Sequence, residues 1–380
     1  MGNCIQNVSA RASLVARGDT WIESDAIQQL IKTSELSGVI RAVGMPDLHP
    51  GRGYPIGAAF LSEGYIYPAL VGNDIGCGMA VWSTDLAVYK TKLDKLEKLL
   101  GNIDQPLGDD WQEMVRKRQQ DKQVLPGVFD SALGTIGGGN HFAELQMVDE
   151  VYMPEQLAAV NLSVKHLCLL VHSGSRGLGE QILRQHVDKY SHKGLDVGSD
   201  AFHEYVERHN HALRFAELNR EFIARRLLSN LKARGEMILD VNHNLVEPYS
   251  LGAGWVHRKG ATPAEQGMVM IPGSRGDYSY LVQARPSDTS LCSLAHGAGR
   301  KWIRSGCKAR LSRKYTVEQM KRTELGGRVI CGSRELVYEE APQAYKSIDN
   351  VISAMSEAGL IDIVARFRPV LTYKTRGTQG

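Results

Sequence analysis

The chain has 380 residues, 43% of them hydrophobic and 23% charged, with a formal net charge of +3. That length suits one large domain or two fused ones, and so slight a charge singles out no class of partner. No run approaches the ~20 apolar residues of a membrane span, and the opening MGNCIQNVSARASL has no apolar stretch of signal-peptide length, so a cytosolic protein is expected. The Met-Gly start is not read as a myristoylation signal, because the spacing to Ser9 is wrong.

In chain order, residues 38–43, 65–71 and 79–83 are predicted as short apolar strands ending near Gly, Asn, Asp or His. Residues 90–100 read as a short amphipathic helix and 167–171 as another strand. A long helix is predicted over 200–235, with Asp200 as N-cap and Gly235 as the stop. Strands follow at 237–241, 268–271 and 280–283, then a helix at 347–359. The run 361–373 is rich in β-branched residues and reads as a strand interrupted at Pro369. Strands and helices do not alternate as βαβ units. The expectation is an α+β fold, one large domain over residues 1–380 with packed mixed β-sheets flanked by helices. The mainly helical 200–235 segment would be a protrusion or subdomain. A Rossmann or P-loop architecture is not expected, since no loop gives GxGxxG after a strand or GxxxxGK[ST].

Twelve histidines fall into two main groups. His186, His192, His203, His209 and His211 lie in helical surroundings and read as partly exposed helix residues. His49 (MPDLHPGRG), His141 (GGGNHF), His172 (HSGSRG), His243 (VNHN) and His296 (HGAGR) lie instead in small-residue peptides at strand ends. Glycine lets backbone approach a ligand closely, and loop tips on a rigid scaffold are where sites are built. One such peptide is readily a turn with a satisfied histidine; five in one chain strain that account.

Asp74 and Cys77 share the loop GNDIGCGM. A carboxylate and a thiolate three residues apart can reach one cation, although a buried Cys also serves as a small hydrophobe. Imidazole, carboxylate and thiolate together do not name the metal. The remaining five cysteines form no CxxC pair and read as buried thiols. The segments GTIGGGN (134–140), HSGSRG (172–177), PGSRG (272–276) and HGAGR (296–300) offer backbone N–H groups, three of them with an Arg. Such nests cradle anions, and singly they are also ordinary tight turns. Between residues 300 and 328 there are ten Lys/Arg against two Glu, with Trp302 and Tyr315 interspersed. That composition fits a solvated helical face or a surface for a polyanion; its position after HGAGR favours the second.

Taken in order, GMPDLHPGRGYPIG, GNDIGCGM, GGGNHFAE, VHSGSRGLG, VNHNLVE, IPGSRGDYSYLV, HGAGRK and EAPQAYKSID resemble the RtcB family of RNA ligases, across residues 44–374. The resemblance implies joining of RNA ends carrying a 2′,3′-cyclic phosphate or 3′-phosphate to ends carrying a 5′-hydroxyl, with GTP as co-substrate, in RNA repair or tRNA splicing. It implies that Asp74, Cys77, His141, His172 and His243 hold two Mn²⁺ ions, with Cys77 bridging. His296 would be the nucleophile that carries guanylate. Asn140, Phe142, Glu144, Ser274, Ser279, Ala298, Gly299, Tyr345 and Lys374 would line the guanylate pocket, with Asp47 beside it. Arg176 and Arg300 would bind RNA or pyrophosphate oxygens. Two departures stand out: Arg275 occupies the place where many relatives have Met, and the C-terminal LTYKTRGTQG offers Arg376 as a substitute for Lys374. The ligand types alone also suit a dinuclear metal phosphodiesterase, and the fold could serve a non-catalytic RNA-binding module. Neither alternative uses the HGAGR histidine.

Overall fold

Strands that are apolar at successive positions must be covered on both faces, and this chain covers them with two large sheets and an outer layer of helices. The computed structural model describes residues 4–377. A six-stranded sheet runs in the order Ile5–Asn7, Ala12–Val15, Val39–His49, Ile56–Ser62, Trp255–Lys259 and Asn244–Pro248. Its pairings are antiparallel except that between Ala12–Val15 and Val39–His49. An eight-stranded sheet runs Gly235–Asn242, Gly78–Ala87, His166–Ser173, Phe142–Val151, Ile361–Thr375, Ser279–Ala284 and Met268–Pro272. Arg328–Cys331 joins it parallel to Ile361–Thr375. The α+β expectation holds, and the mostly antiparallel pairing excludes a doubly wound sheet.

Strand Ile56–Ser62 shows the layering: Ala59 and Leu61 face one core, Ala58 and Phe60 the other. The first core lies between the sheets. There Val43 and Val256 meet Ile271, Val282 and Ile361, with Val351 and Met355 of helix Ile348–Glu357. The second lies under helix Ser24–Ser34, which contributes Ala26 and Leu30. On the far face of the larger sheet, Ile223, Ala224 and Leu227 of helix Asp200–Leu231 pack on Ala80, Leu169, Val171 and Tyr373. Each buried Ile, Leu or Val side chain among them contributes ~1.5–3 kcal/mol. The long helix is therefore part of the core, not a protrusion.

Several boundaries differ from the sequence expectation. The predicted strand 65–71 pairs only over Tyr65–Ile66, because Pro68 opens a 3-10 turn at Pro68–Leu70. The helix expected from residue 90 begins at Leu93, after a 3-10 turn. The long helix is capped by Ser199, whose hydroxyl accepts from Phe202 N at 3.2 Å, and not by Asp200. It ends at Leu231 with Lys232 left-handed, while Gly235 opens the next strand. Ile361–Thr375 runs unbroken past Pro369, with a register shift between Pro369 and Leu371 absorbing the missing N–H. Among the described residues no helix is long and apolar enough to cross a membrane.

Candidate metal and nucleotide site

Sheet register decides where the candidate ligands go. Gly78 opposes Ser173 on one side and Asn242 on the other, and Phe142 opposes His172. Cys77 therefore precedes one strand, His172 ends its neighbour, His243 follows a third and His141 precedes a fourth, all at the same end of the larger sheet. The Asp74 loop reaches the same end, with Asn244 Nδ2 donating to Asp74 O at 3.0 Å.

The donor atoms converge. Cys77 Sγ lies 3.1 Å from His172 Nε2 and 3.3 Å from His141 Nε2, and His141 Nε2 lies 2.7 Å from Asp74 Oδ2. Two groups have ligand atoms mutually within 4.8 Å: Cys77, His172 and His243, and Asp74, Cys77 and His141. Cys77 belongs to both. Burial pushes His172 and His243 well below the usual imidazole range, and neighbouring imidazoles add to the effect, so both stay neutral with lone pairs to offer. Burial, reinforced by Asp74, pushes the Cys77 thiol well up. Burial alone would raise Asp74 as well, but His141, Cys77 and Arg176 together hold its carboxyl below the usual range. His141 Nδ1 and His243 Nδ1 are buried without hydrogen-bond partners among the described residues. A buried thiol ringed by imidazoles and one carboxylate fits a pair of cations better than it fits a packed core.

His296 continues this cluster. Its ring centroid lies 4.8 Å from that of His243. Its Nδ1 lies 2.7 Å from Asp47 Oδ2, and that carboxylate is fully buried. HGAGR can pack so closely only because residue 299 is glycine: φ is +71°, and a Cβ there would lie 2.2 Å from Asp47 O. Asp47 belongs to strand Val39–His49, so the two sheets meet at this point.

Beyond His172 lies a second set of side chains. The Phe142 ring stands 5.5 Å from that of His172, and Lys374 Nζ lies 6.0 Å from the Phe142 centroid. Lys374 donates to Gly139 O at 2.7 Å, and burial lowers it to about 8. Arg376 turns away, donating to Gly101 O and to Glu97 O, so of the two C-terminal candidates Lys374 is the one beside Phe142. Glu144 accepts from Thr372 and from Gln146, which also donates to Ser279 Oγ at 2.8 Å. Burial raises Glu144 to about 7. Tyr345 donates to Glu340 and accepts from Arg300 at 3.0 Å. Ser274 and Ala298 are buried, and Asn140 Oδ1 lies 3.4 Å from Arg304 Nη2. Arg275 is buried too, donating to Met320 O and Val337 O, so it ties the PGSRG loop to the neighbouring helices.

Arg176 lies over the GTIGGGN loop: a Cβ at Gly137 would fall 1.7 Å from its Nη1. Arg300 points inward to Glu340, not to a surface. The basic run divides. Arg304, Lys308, Lys321 and Arg328 already pair with Glu340, Glu335, Glu318 and Asp94. Arg313, Lys314 and Arg322 form no ion pair among the described residues. Sequence reasoning passed over Glu340, although it stands in the quoted EAPQAYKSID motif; a carboxylate just before Ala-Pro carries no periodic signal. It also passed over Lys346, which donates to Pro46 O and Leu48 O and so clasps the Asp47 backbone.

The sequence profile of a family described as "tRNA-splicing ligase RtcB" matches residues 29–131 and 109–375. The chain is 53% identical over 384 residues to the RNA-splicing ligase RtcB2 of an Escherichia coli strain, covering 99% of each. It is 32% identical to the tRNA-splicing ligase RtcB of Nanoarchaeum equitans, covering 93% of this chain and 92% of that one. To the RNA-splicing ligase RtcB of Escherichia coli K12 it is 29% identical, over 93% of this chain and 95% of the relative.

Proposed function

The chain belongs to the RtcB family of RNA-splicing ligases, and from that premise we propose that it is a GTP- and Mn²⁺-dependent ligase that seals RNA 3′-phosphate or 2′,3′-cyclic phosphate ends to 5′-hydroxyl ends through guanylate carried on His296. The observation that carries this reading is the placement of His296, its Nδ1 against buried Asp47 and its ring beside His243. The five residues Asp74, Cys77, His141, His172 and His243 fit two cations that share Cys77. Bound there, Mn²⁺ would neutralise phosphate oxygens and make the phosphorus more electrophilic.

The chain's own residues do the rest. The Asp47 carboxylate faces His296 Nδ1 at 2.7 Å, which leaves Nε2 as the nucleophile. Nε2 forms a bond to the α-phosphorus of GTP while the bond to pyrophosphate breaks, and the Asp47 carboxylate meets the positive charge that develops on the ring. A 2′,3′-cyclic phosphate is first opened by water to the 3′-phosphate; a 3′-phosphate oxygen of the RNA then attacks the phosphorus carried on His296, and the Nε2–P bond breaks. The 5′-hydroxyl of the second RNA attacks the activated 3′-phosphate, releasing GMP and a proton. Arg176, beside the Asp74 group, would meet phosphate oxygens, while Arg300, turned inward, holds Glu340 and Tyr345 behind the pocket. Phe142 offers a ring face to the base, and Glu144 and Lys374 offer an acceptor and a donor to its edge. Guanine has the matching N–H groups and carbonyl; adenine does not.

The test is incubation with α-labelled GTP and Mn²⁺, followed by a denaturing gel. Acid-labile, alkali-stable label on the protein is expected, and Cys77→Ala should abolish both labelling and joining. Ester cleavage without label would favour a dinuclear phosphodiesterase, and neither activity would favour a binding module.

A further inference from the structure

The long helix Asp200–Leu231 buries one guanidinium completely. Arg220 is 0% exposed, directly beneath the metal-ligand end of the larger sheet. Its Nη1 donates to Gly76 O at 2.6 Å and to Ser173 O at 2.8 Å. Its Nη2 donates to Asn242 Oδ1 at 2.7 Å, and its Nε to Asp240 Oδ1 at 2.7 Å. Nη2 also lies 2.6 Å from Asp240 Oδ1. Three of these acceptors are sequence neighbours of ligands: Gly76 precedes Cys77, Ser173 follows His172, and Asn242 precedes His243. Those ligands are the members of one donor group.

We infer that Arg220 is the positioning residue that sets the spacing of the Cys77, His172 and His243 donor atoms, and thereby the cation affinity of that half of the centre; the inference rests on reading those three residues as ligands. Beyond Gly78 backbone bonds still join two of the three strand ends, His243 N donating to Cys77 O at 2.7 Å and Gly76 N to Asn244 O at 2.9 Å, and the guanidinium, a planar fork with five donors, ties the Ser173 end to them at fixed angles. A Cβ at Gly78 would lie 3.0 Å from Arg220 Nη1, so the strand is pressed onto the guanidinium. Lysine keeps the charge but is a point donor on a flexible stem and cannot hold the three acceptors in one plane. The other donor group depends on Arg220 less directly. Its approach loop is held by Asn219, whose Oδ1 accepts from Gly134 N at 2.9 Å and whose Nδ2 donates to Gly174 O at 3.1 Å.

The experiment titrates the chelator-stripped full chain with Co²⁺ alone, reading calorimetry and the thiolate-to-cobalt charge-transfer band. In Arg220→Lys, affinity for the ion held by Cys77, His172 and His243 should fall about 10- to 100-fold, the usual cost of losing a residue that orients ligands from behind, and the charge-transfer band should shift. Binding at the Asp74 side should weaken less. A merely structural role predicts a lower unfolding temperature with Co²⁺ affinity and band unchanged in the folded protein; that result overturns the inference. If Arg220→Lys does not fold, Asn242→Ala carries the same test. It leaves the bonds to Gly76, Ser173 and Asp240 in place, a several-fold loss of affinity is expected, and an unchanged titration overturns the inference. Failure of the wild-type chain to take up Co²⁺ would instead overturn the metal reading, and this inference with it.

Discussion

Two sets of buried histidines lie in this molecule, and they differ in what their nitrogens meet. His209 and His257 pack inside the fold with both nitrogens engaged. His257 Nε2 accepts from Tyr67 N at 2.8 Å and its Nδ1 faces Phe60 O at 3.3 Å. His209 Nε2 accepts from Val246 N at 3.1 Å, with Nδ1 beside Asn210 Oδ1. His141, His172, His243 and His296 are packed ring to ring, yet their nitrogens converge on a thiol and two carboxylates in place of backbone donors. Burial depresses basicity at His209 and His257, and it does so at His172 and His243 as well. A lowered pKa therefore does not separate structural histidines from the site in this chain; unsatisfied lone pairs aimed at one another do.

The sharpest break between the two sets is expected at His296. His296→Ala should fold, bind Mn²⁺ and bind RNA, and should form no covalent guanylate at all. It should still join RNA whose 3′-end already carries the activating guanylate, because that step needs no nucleophile on the protein. Label persisting on the variant would return His296 to the structural set.

Next in size is the proposed base pocket. A site that hydrogen-bonds its ligand rejects an analogue that leaves buried groups unpaired, by factors that can reach ~10⁴. Lys374→Met should cut the preference for GTP over ATP by about 100-fold or more, read from nucleotide competition in the labelling assay. An unchanged preference would remove Lys374 from the pocket.

The structural set has its own signature in pH. Burial lowers His257 to about 4 in the folded chain, against about 6.5 for an ordinary imidazole. The unfolded chain binds the proton more readily, so this stability is full above pH 6.5 and is lost as pH falls through 4. Between pH 7.5 and 5 the loss is about 2 kcal/mol for one such imidazole. His257→Gln cannot be charged, so its urea-unfolding free energy should fall by about 2 kcal/mol less over that interval than the wild type's. Equal pH dependence would show that His257 is solvated.

The smallest effect concerns the exposed cations. Replacing Arg313, Lys314 and Arg322 with Gln should weaken RNA binding and reduce the slope of log affinity against log salt by about 2. Since half of the basic run already has acidic partners, a larger change is not expected, and no change would make these residues a solvated face.

Much of the site was legible because its residues are written in local peptides. Small residues at the ends of apolar runs marked His141, His172, His243 and His296, and register then brought their strand ends together. The α+β class followed equally from the irregular mixture of strands and helices. What stayed hidden depends on distant pairing. Arg220 sits in a helix among polar residues, and nothing local says that its side chain passes beneath three strands. Glu340 becomes a buried counter-charge only when Arg300 and Tyr345 close over it. Residues 65–71 looked like a strand by apolarity, while Pro68 chose a turn. His209 read as a partly exposed helix residue, but it packs beside Tyr205 under strand Asn244–Pro248, whose Val246 N it accepts from, and it is fully buried.

Strand Ile361–Thr375 stands in the middle of the larger sheet, between Phe142–Val151 and Ser279–Ala284. Thr372 meets Glu144 across 228 positions of chain. As the polypeptide emerges during synthesis, those two flanking strands have no partner to join them until the last of the three has been made. Their edges stay open in the meantime, and open edges are where chains pair wrongly with one another. Closing so long a loop is slow, because its entropy is lost before any contact compensates. Substitutions in Ile361–Thr375 should therefore show first in biogenesis, as poor yield and a need for chaperones, before they show in turnover by the molecules that mature.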